Sequence, residues 1–120
     1  MENNYRTFLN SEHFDVIWEK LGFGDAELRE LQNLLIKNPE CGALMRGTGG
    51  FRKMRYARGN KGKSGSVRVI YLDLHAYNFV VLMLAYPKSE KETLSQAERN
   101  ALKAISGKII QGFKSSKKEW

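Results

Sequence analysis

Apolar residues recur three or four positions apart in three stretches of the chain, the spacing of a helix with one buried face. Asn10 or Ser11 stands at the position of the first helix cap. The second helix is stopped by Asn38-Pro39, and a capping box at Ser95–Glu98 precedes the third. The apolar positions are Phe14, Ile17, Trp18 and Leu21; then Leu28, Leu31 and Leu35; then Leu102, Ile105, Ile109 and Phe113.

The pattern changes to that of strands between the second and third helices. Phe51–Ala57, Val67–Leu72 and Phe79–Ala85 are rich in β-branched and aromatic residues and are separated by turn-like segments. Phe79–Ala85 is almost wholly apolar, which predicts a central strand covered on both faces. Tyr5–Leu9 is predicted to be a short first strand.

These elements give the order β-α-α-β-β-β-α, which is typical of an α+β domain. We expect a small, mainly antiparallel sheet with helices packed against it. A chain of 120 residues fits one such domain, which we place at residues 1–113. Residues 114–120 are expected to form a frayed basic tail.

Composition excludes several classes of site. With one cysteine and two histidines, the chain cannot form an internal disulfide, and we expect neither a metal site nor a cofactor. Cys41 is interpreted as a small buried apolar residue. The first residues do not have the pattern of a secretory signal, and the longest apolar run, Phe79–Tyr86, is too short to span a bilayer. We therefore expect a soluble, cytoplasmic protein with no membrane partner.

Charge is distributed unevenly along the chain. The net charge is +7, yet residues 1–40 hold eight acidic and four basic residues. Residues 41–72 hold eight basic residues and no acidic one, and we call the part from Arg46 to Arg68, which contains all eight, the basic stretch. Ordinary surfaces mix both signs, because like charges repel. A one-signed block of this length predicts an anionic partner, and nucleic acid is the commonest large anion.

Strand alternation divides the basic residues by face. Lys53 and Arg55 share one face of the predicted strand, and a hairpin would bring Arg68 beside them. Strands hold side chains more firmly than loops, so we assign this trio to chemistry. Edge charges that prevent sheet aggregation are the alternative interpretation, but they would explain only one or two of these cations. Gripping of the phosphate backbone is assigned to Arg46, Arg52, Arg58, Lys61 and Lys63.

Two other motifs are set aside. Gly62-Lys63-Ser64 resembles part of a phosphate-binding P-loop, but that motif needs glycine where Ala57 stands, and it must lead into a helix rather than a strand. His13 and His75 suggest an acid–base pair, yet nothing in the sequence brings them together. Each is interpreted as a surface residue.

The sequence resembles the RelE superfamily of toxins, and most closely its HigB-type branch. The resemblance covers residues 5–110. It rests on Asn38-Pro39, Gly42, Gly47-Thr48-Gly49-Gly50, Arg52-Lys53-Met54-Arg55, Gly62-Lys63-Ser64-Gly65, Arg68-Val69-Ile70-Tyr71 and Tyr86-Pro87-Lys88-Ser89-Glu90. The resemblance implies a RelE-like fold and a toxin of a type II toxin–antitoxin pair. Its partners would be mRNA on the ribosome and a helix-turn-helix antitoxin.

The implied activity is metal-independent cleavage of translated mRNA by attack of a ribose 2′-hydroxyl on the adjacent phosphorus. The family's basic positions fall on Lys53, Arg55, Arg68 and Lys88. The two arginines would neutralise charge on the phosphoryl oxygens. Lys53 would accept the proton, since neighbouring cations favour a neutral amine, and Lys88 would donate to or neutralise the leaving oxygen. RelE itself has a tyrosine near its C-terminus that stacks on the mRNA base, whereas here Leu94 occupies that region.

Two other functions remain open. A ParE-type relative would poison DNA gyrase with the same fold, although a gyrase poison does not need a phosphate-cleaving cluster. A non-enzymatic RNA-binding module would use the same cations, because a cation cluster grips phosphate whether or not it cleaves it. The sequence leaves the codon preference, the antitoxin's identity and the oligomeric state open.

Overall fold

A computed structural model of the chain describes residues 5–57, 66–87 and 93–118. Its sheet has five strands in the order β1-β5-β4-β3-β2, and neighbouring strands are antiparallel except for the parallel pair β1 and β5. The elements are β1 (Thr7–Asn10), α1 (Glu12–Lys20), α2 (Asp25–Lys37), β2 (Ala43–Leu44), β3 (Phe51–Ala57), β4 (Ser66–Leu74), a short 3-10 helix (His75–Tyr77), β5 (Phe79–Pro87) and α3 (Gln96–Lys118).

The α+β class and the order of the predicted elements are confirmed, with β2 as an additional strand. β1 runs from Thr7 to Asn10 rather than from Tyr5 to Leu9. β5 lies inside the sheet, as its apolar sequence predicts, and Val80, Val81 and Leu82 are buried while Met83 and Leu84 at its centre are half-buried.

Side-chain caps fix where the helices begin. The Ser11 hydroxyl accepts a hydrogen bond from the Phe14 N–H at 2.9 Å and donates to the Met83 carbonyl at 2.7 Å, so it also ties α1 to β5. The predicted capping box of α3 is present. The Glu98 N–H donates to the Ser95 hydroxyl at 3.1 Å, and the Ser95 N–H donates to the Glu98 carboxylate at 2.8 Å.

The core has two layers, one on each face of the sheet. On the first face, α1 and α2 bury Phe14, Trp18, Leu31 and Leu35 against the sheet, together with Tyr56. On the second face, the buried residues are Met45, Phe51, Ile70, Leu72, Leu74, Val81, Tyr86, Leu94 and Leu102. We call this second face, against which α3 packs, the α3 face.

Two expectations from the sequence are corrected. α3 continues to Lys118, so residues 114–118 are helical rather than frayed. Lysine and serine are compatible with a last helical turn, and cations there interact favourably with the helix dipole. Cys41 is exposed rather than buried, because it precedes the edge strand β2. Within the described ranges no helix is both long and apolar enough to cross a membrane.

Candidate functional site

A row of three residues crosses the sheet near one end of β3, β4 and β5. Arg55 is the direct cross-strand partner of Arg68, and Arg68 is in turn the partner of Tyr86. Side chains directly opposite each other in a sheet lie on the same face, about 4.5–5.5 Å apart at their Cβ atoms. Tyr86 belongs to the buried cluster of the α3 face, so all three side chains lie on that face. Tyr86 was not predicted as a member of this group.

Lys53 joins this row on the same face. It is two residues before Arg55 on β3 and pairs with Ile70 of β4 and Ala43 of β2. The structure therefore brings together the three strand residues assigned to chemistry. We call Lys53, Arg55 and Arg68 the cation trio.

On the α3 face of β3, side-chain exposure rises from Phe51 to Arg55. Phe51 is fully buried on the α3 face, Lys53 is half-buried and Arg55 is exposed. The three alternate positions run from the end of β3 near α3 to the end near Ala57. Among the described residues, the α3 packing thus covers the Phe51 end of this sheet face and leaves the Arg55 end exposed, and we call that end the open face.

The charges of Arg55 and Arg68 are not balanced within the described residues. The salt bridges found there are Arg6 with Asp73 and Arg52 with Glu40, and neither includes Arg55 or Arg68. The Nε atom of Arg68 is buried and has no hydrogen-bond partner in the same part of the chain. A buried donor of a charged group is costly to leave unsatisfied. An anion bound on this face would supply the acceptor.

Arg52 lies on the opposite face from the cation trio. Its Nη1 donates to the Gly42 carbonyl at 2.8 Å and to the Glu40 carbonyl at 3.4 Å, and its Nη2 lies 3.5 Å from the Glu40 carboxylate. The guanidinium therefore holds the segment before β2 against β3. The assignment of Arg52 to phosphate gripping stays a prediction, and its present contacts compete with that role.

Arg46 is exposed but lies at the far end of β3 from Arg55, in the turn that joins β2 to β3. Its carbonyl accepts a hydrogen bond from Arg99 Nη1 of α3 at 2.7 Å. Arg46 is thus not brought together with the cation trio. The other basic residues predicted for the site lie outside the described residues: Arg58, Lys61, Lys63 and Lys88.

The glycines of the basic stretch serve a structural purpose. In Gly47-Thr48-Gly49-Gly50, the buried Thr48 hydroxyl donates to the Met45 carbonyl at 2.7 Å and accepts from the Phe51 N–H at 3.1 Å. The Ser106 hydroxyl of α3 donates to the Gly49 carbonyl at 2.7 Å. All three glycines have positive φ. This glycine turn therefore closes the β2–β3 hairpin and docks α3 onto it.

Tyr71, on the opposite face of the sheet from the cation trio, holds the segment that precedes β2. Its side chain is fully buried, and its hydroxyl donates to the Pro39 carbonyl and accepts from the Gly42 N–H, each at 2.8 Å. Burial raises the pKa of the Tyr71 hydroxyl far above its ordinary value. A Cβ at Gly42 would come within 2.9 Å of that hydroxyl oxygen, so glycine is required for the contact.

The two histidines lie away from the cation trio. His13 is exposed on α1, the helix packed on the opposite face of the sheet. His75 comes directly after β4, at the end of that strand away from Arg68. Its Nδ1 lies 3.1 Å from the guanidinium of Arg6, which also forms a salt bridge with Asp73. In the described part of the chain, no group of three or more histidine, cysteine or carboxylate side chains could hold a metal ion.

Comparison with solved structures supports the fold. The structure of the E. coli toxin RelE, in the free state and with two arginines changed to alanine, matches this chain with a TM-score of 0.52 at 16% sequence identity. The match covers 73% of this chain and 88% of that chain. At this identity the likeness concerns the fold, an α+β arrangement of three helices on a five-stranded, mostly antiparallel sheet.

Comparison with protein families covers nearly the whole chain. The model of the RelE toxin of the RelE/RelB toxin–antitoxin system matches residues 10–118. This range includes the glycine turn, the cation trio, strands β2 to β5 and the α3 helix that packs on them. The chain therefore belongs to the RelE toxin family.

Proposed function

We propose that this protein is a ribosome-dependent mRNA interferase of the HigB-type branch, a metal-independent endoribonuclease. The observation that carries the proposal is the pairing of Arg55 with Arg68 on an open sheet face, with the Nε of Arg68 buried and unsatisfied within the described residues. Two neighbouring guanidinium groups that no carboxylate of the described chain pairs with suit a phosphoryl group whose negative charge grows during reaction.

The proposed reaction breaks one phosphodiester bond without a cofactor. The ribose 2′-oxygen forms a bond to the adjacent phosphorus while the bond from phosphorus to the 5′-oxygen of the next nucleotide breaks. The products are a 2′,3′-cyclic phosphate and a 5′-hydroxyl. Lys53 is assigned the proton from the 2′-hydroxyl, and Arg55 and Arg68 neutralise the phosphoryl oxygens. Lys88, which follows Pro87 at the end of β5, is assigned to the leaving oxygen.

We assign the orientation of the mRNA for in-line attack to the ribosome rather than to the cation trio. Within the described ranges neither histidine reaches the open face, so the protein's own groups contribute charge more than efficient proton transfer. Holding the mRNA so that the 2′-oxygen lies in line with the breaking bond is worth about 7–11 kcal/mol in well-oriented reactions. Dependence on the ribosome would place the activity in the cytoplasm.

A dedicated antitoxin follows from such an activity. RelE family membership implies an antitoxin partner, and we propose a helix-turn-helix protein encoded beside the toxin. If it covers the open face, it should present carboxylates to the basic stretch. A partner that binds elsewhere and blocks entry to the ribosome would leave that stretch uncovered.

Primer extension on cellular mRNA after brief induction tests the proposal. Wild-type protein should produce cuts inside translated codons, and Arg68→Ala should not. Arg29→Ala is the matched control, because Arg29 is an exposed arginine on α2, which packs on the other face of the sheet. Intact mRNA accompanied by DNA damage would instead support a ParE-type gyrase poison. RNA binding without any cuts would identify a non-enzymatic RNA-binding module.

A further inference from the structure

β1 is an edge strand with one side open. Its other side pairs with β5. The Thr7 N–H donates to the Asn78 carbonyl at 2.8 Å, and the N–H of Ser11, the residue after β1, donates to the Leu82 carbonyl at 2.9 Å. Successive residues of a strand direct their N–H groups to opposite sides. The N–H groups of Phe8 and Asn10 therefore point to the open edge, where no further strand of the described chain pairs with β1.

A groove runs beside this edge, between β1 and the second half of α3. Its volume is about 400 Å³. Phe113 is held in place by ring contacts with Phe79 and Tyr77, at centroid distances of 4.7 and 4.9 Å, so one wall of the groove is fixed by the core. Leu9 is 43% exposed although it lies on an edge strand, where natural proteins usually avoid exposed apolar residues. The lining residues are Leu9, Lys108, Ile109, Gly112, Phe113 and Ser116.

The helix that forms the groove is basic. Between Arg99 and Lys118 the sequence has six basic residues and no acidic one. Lys108 is exposed and is the charged residue of the groove lining, and Lys114 is exposed on the following turns. A segment bound here would meet cations on its α3 side, which favours carboxylates in that segment.

We propose that this groove binds an extended, acidic segment of a partner protein, which adds a strand to β1. Its main chain would bond to the open edge at Phe8 and Asn10, an apolar side chain would pack on Leu9 and Ile109, and a carboxylate would pair with Lys108. Main-chain donors that pair with no other strand of the described chain fit a peptide better than RNA, which binds mainly through phosphate contacts and base stacking. The proposal does not depend on RNA cleavage, because β5 separates β1 from β4 and the cation trio.

A short synthetic peptide of alternating isoleucine and glutamate, capped at both ends, is a direct probe. Titrated into the isotope-labelled full chain, it should shift the NMR signals of Leu9, Ile109 and Gly112. It should also slow hydrogen exchange at the Phe8 and Asn10 amides, a readout specific to strand addition. The same peptide methylated on its backbone nitrogens should not bind, and one with lysine in place of glutamate should bind at least ~10-fold more weakly.

Substitutions of groove residues test whether the peptide binds in the groove. Leu9→Asn and Lys108→Glu should each weaken the peptide by ~10-fold, equivalent to ~1.4 kcal/mol. The matched controls are Leu34→Asn, an equally exposed leucine on α2, and Lys103→Glu, an exposed lysine of α3 outside the groove lining. Neither control should change the affinity. Circular dichroism checks that each variant is folded.

Four results would overturn the proposal. The first is no binding of the peptide at concentrations up to about 1 mM, and the second is equal affinity for wild type and Leu9→Asn. The third is that a short oligouridine produces the groove shifts while the peptide does not, which would make the groove an RNA surface. Protection of Phe8 and Asn10 that appears on concentrating the protein alone would show that a second copy of this chain occupies the edge.

Discussion

Arg55 and Arg68 face each other across β3 and β4, and no carboxylate of the described residues pairs with either. Like charges directly opposite in a sheet are destabilising, by roughly 0.2–1 kcal/mol on the scale of other cross-strand pairs. The unsatisfied Nε of Arg68 adds to that cost. This arrangement does not stabilise the fold, which supports its assignment to an anionic ligand.

Arg68→Ala should therefore separate activity from stability. We expect a loss of ~10²–10³ in the rate of mRNA cleavage, the usual cost of removing one transition-state donor. The melting temperature should stay the same or rise slightly, because a like-charge contact disappears. Growth after induction and thermal unfolding of the purified variant measure the two effects. If Arg68→Ala were as toxic as wild type, the cation trio would not be the active site.

Purified protein should hardly cleave a short RNA in the absence of ribosomes. The cation trio supplies electrostatic stabilisation, whereas in-line orientation, worth about 7–11 kcal/mol, is left to the ribosome. Cleavage of a labelled mRNA with and without translating ribosomes measures the difference, and Arg68→Ala on the same ribosomes is the control for contaminating nucleases. Efficient cleavage of the naked RNA would contradict ribosome dependence.

Gly49→Ala should destabilise the protein through the junction of the glycine turn with α3. Gly49 has a φ of +77°, and an added Cβ would lie 2.9 Å from both side-chain atoms of Ser106. A strained backbone position costs of order 1–3 kcal/mol. Gly107→Ala is the matched control, because a Cβ there meets nothing within 4 Å and alanine stabilises a helix interior by roughly 0.5–1 kcal/mol. Urea unfolding of both variants should give opposite signs.

Tyr71→Phe should loosen the segment before β2. The substitution leaves the buried Gly42 N–H and the Pro39 carbonyl without the hydroxyl that now bonds to both. An unsatisfied buried group costs about 1–3 kcal/mol. Chemical denaturation measures this loss, and hydrogen exchange at Gly42 should accelerate more than exchange at the core residue Val69. Unchanged exchange at Gly42 would mean that the Tyr71 hydroxyl does not hold this segment.

The Tyr71 hydroxyl should also make the stability of the protein depend on pH in the alkaline range. Because burial raises the Tyr71 pKa, the folded state keeps the proton at pH values where the unfolded chain, with a pKa of about 10, has lost it. This contribution to stability is fully present below pH ~10 and is lost as the pH rises above that value. Wild type should therefore lose more stability than Tyr71→Phe between pH ~9 and ~11. Equal losses would show that another group dominates alkaline unfolding.

The sequence predicts the elements better than it predicts the membership of the site. Long periodic segments gave the three helices and four of the five strands, whereas β2 has only two residues and shows no periodicity. Alternation placed Lys53 and Arg55 together, and the hairpin register then added Arg68. Arg46 belongs to the same basic stretch in sequence, yet it lies in the turn before β3, at the end of that strand away from Arg55. Tyr86 was missed because its place beside Arg68 depends on the β4–β5 register, which a bulge near Ile70 shifts.

Most of the eight acidic residues in positions 1–40 are poorly placed to cover the open face. Six of them lie on α1 and α2, which pack against the opposite face of the sheet: Glu12, Asp15, Glu19, Asp25, Glu27 and Glu30. These six residues therefore offer the basic stretch no cover. We propose that the antitoxin masks this stretch directly with carboxylates.

Direct masking predicts that the affinity for the antitoxin falls steeply with salt, because an interface of several charge pairs weakens as screening increases. Lys61 and Lys63 changed together to alanine should lower both the affinity at low salt and its salt dependence. The double variant Lys20→Ala and Lys37→Ala is the matched control, since these exposed lysines lie on α1 and α2. Dissociation constants at low and high salt for the three proteins give the answer. If neither salt nor the Lys61 and Lys63 substitutions change the affinity, the antitoxin binds elsewhere and acts by blocking access to the ribosome.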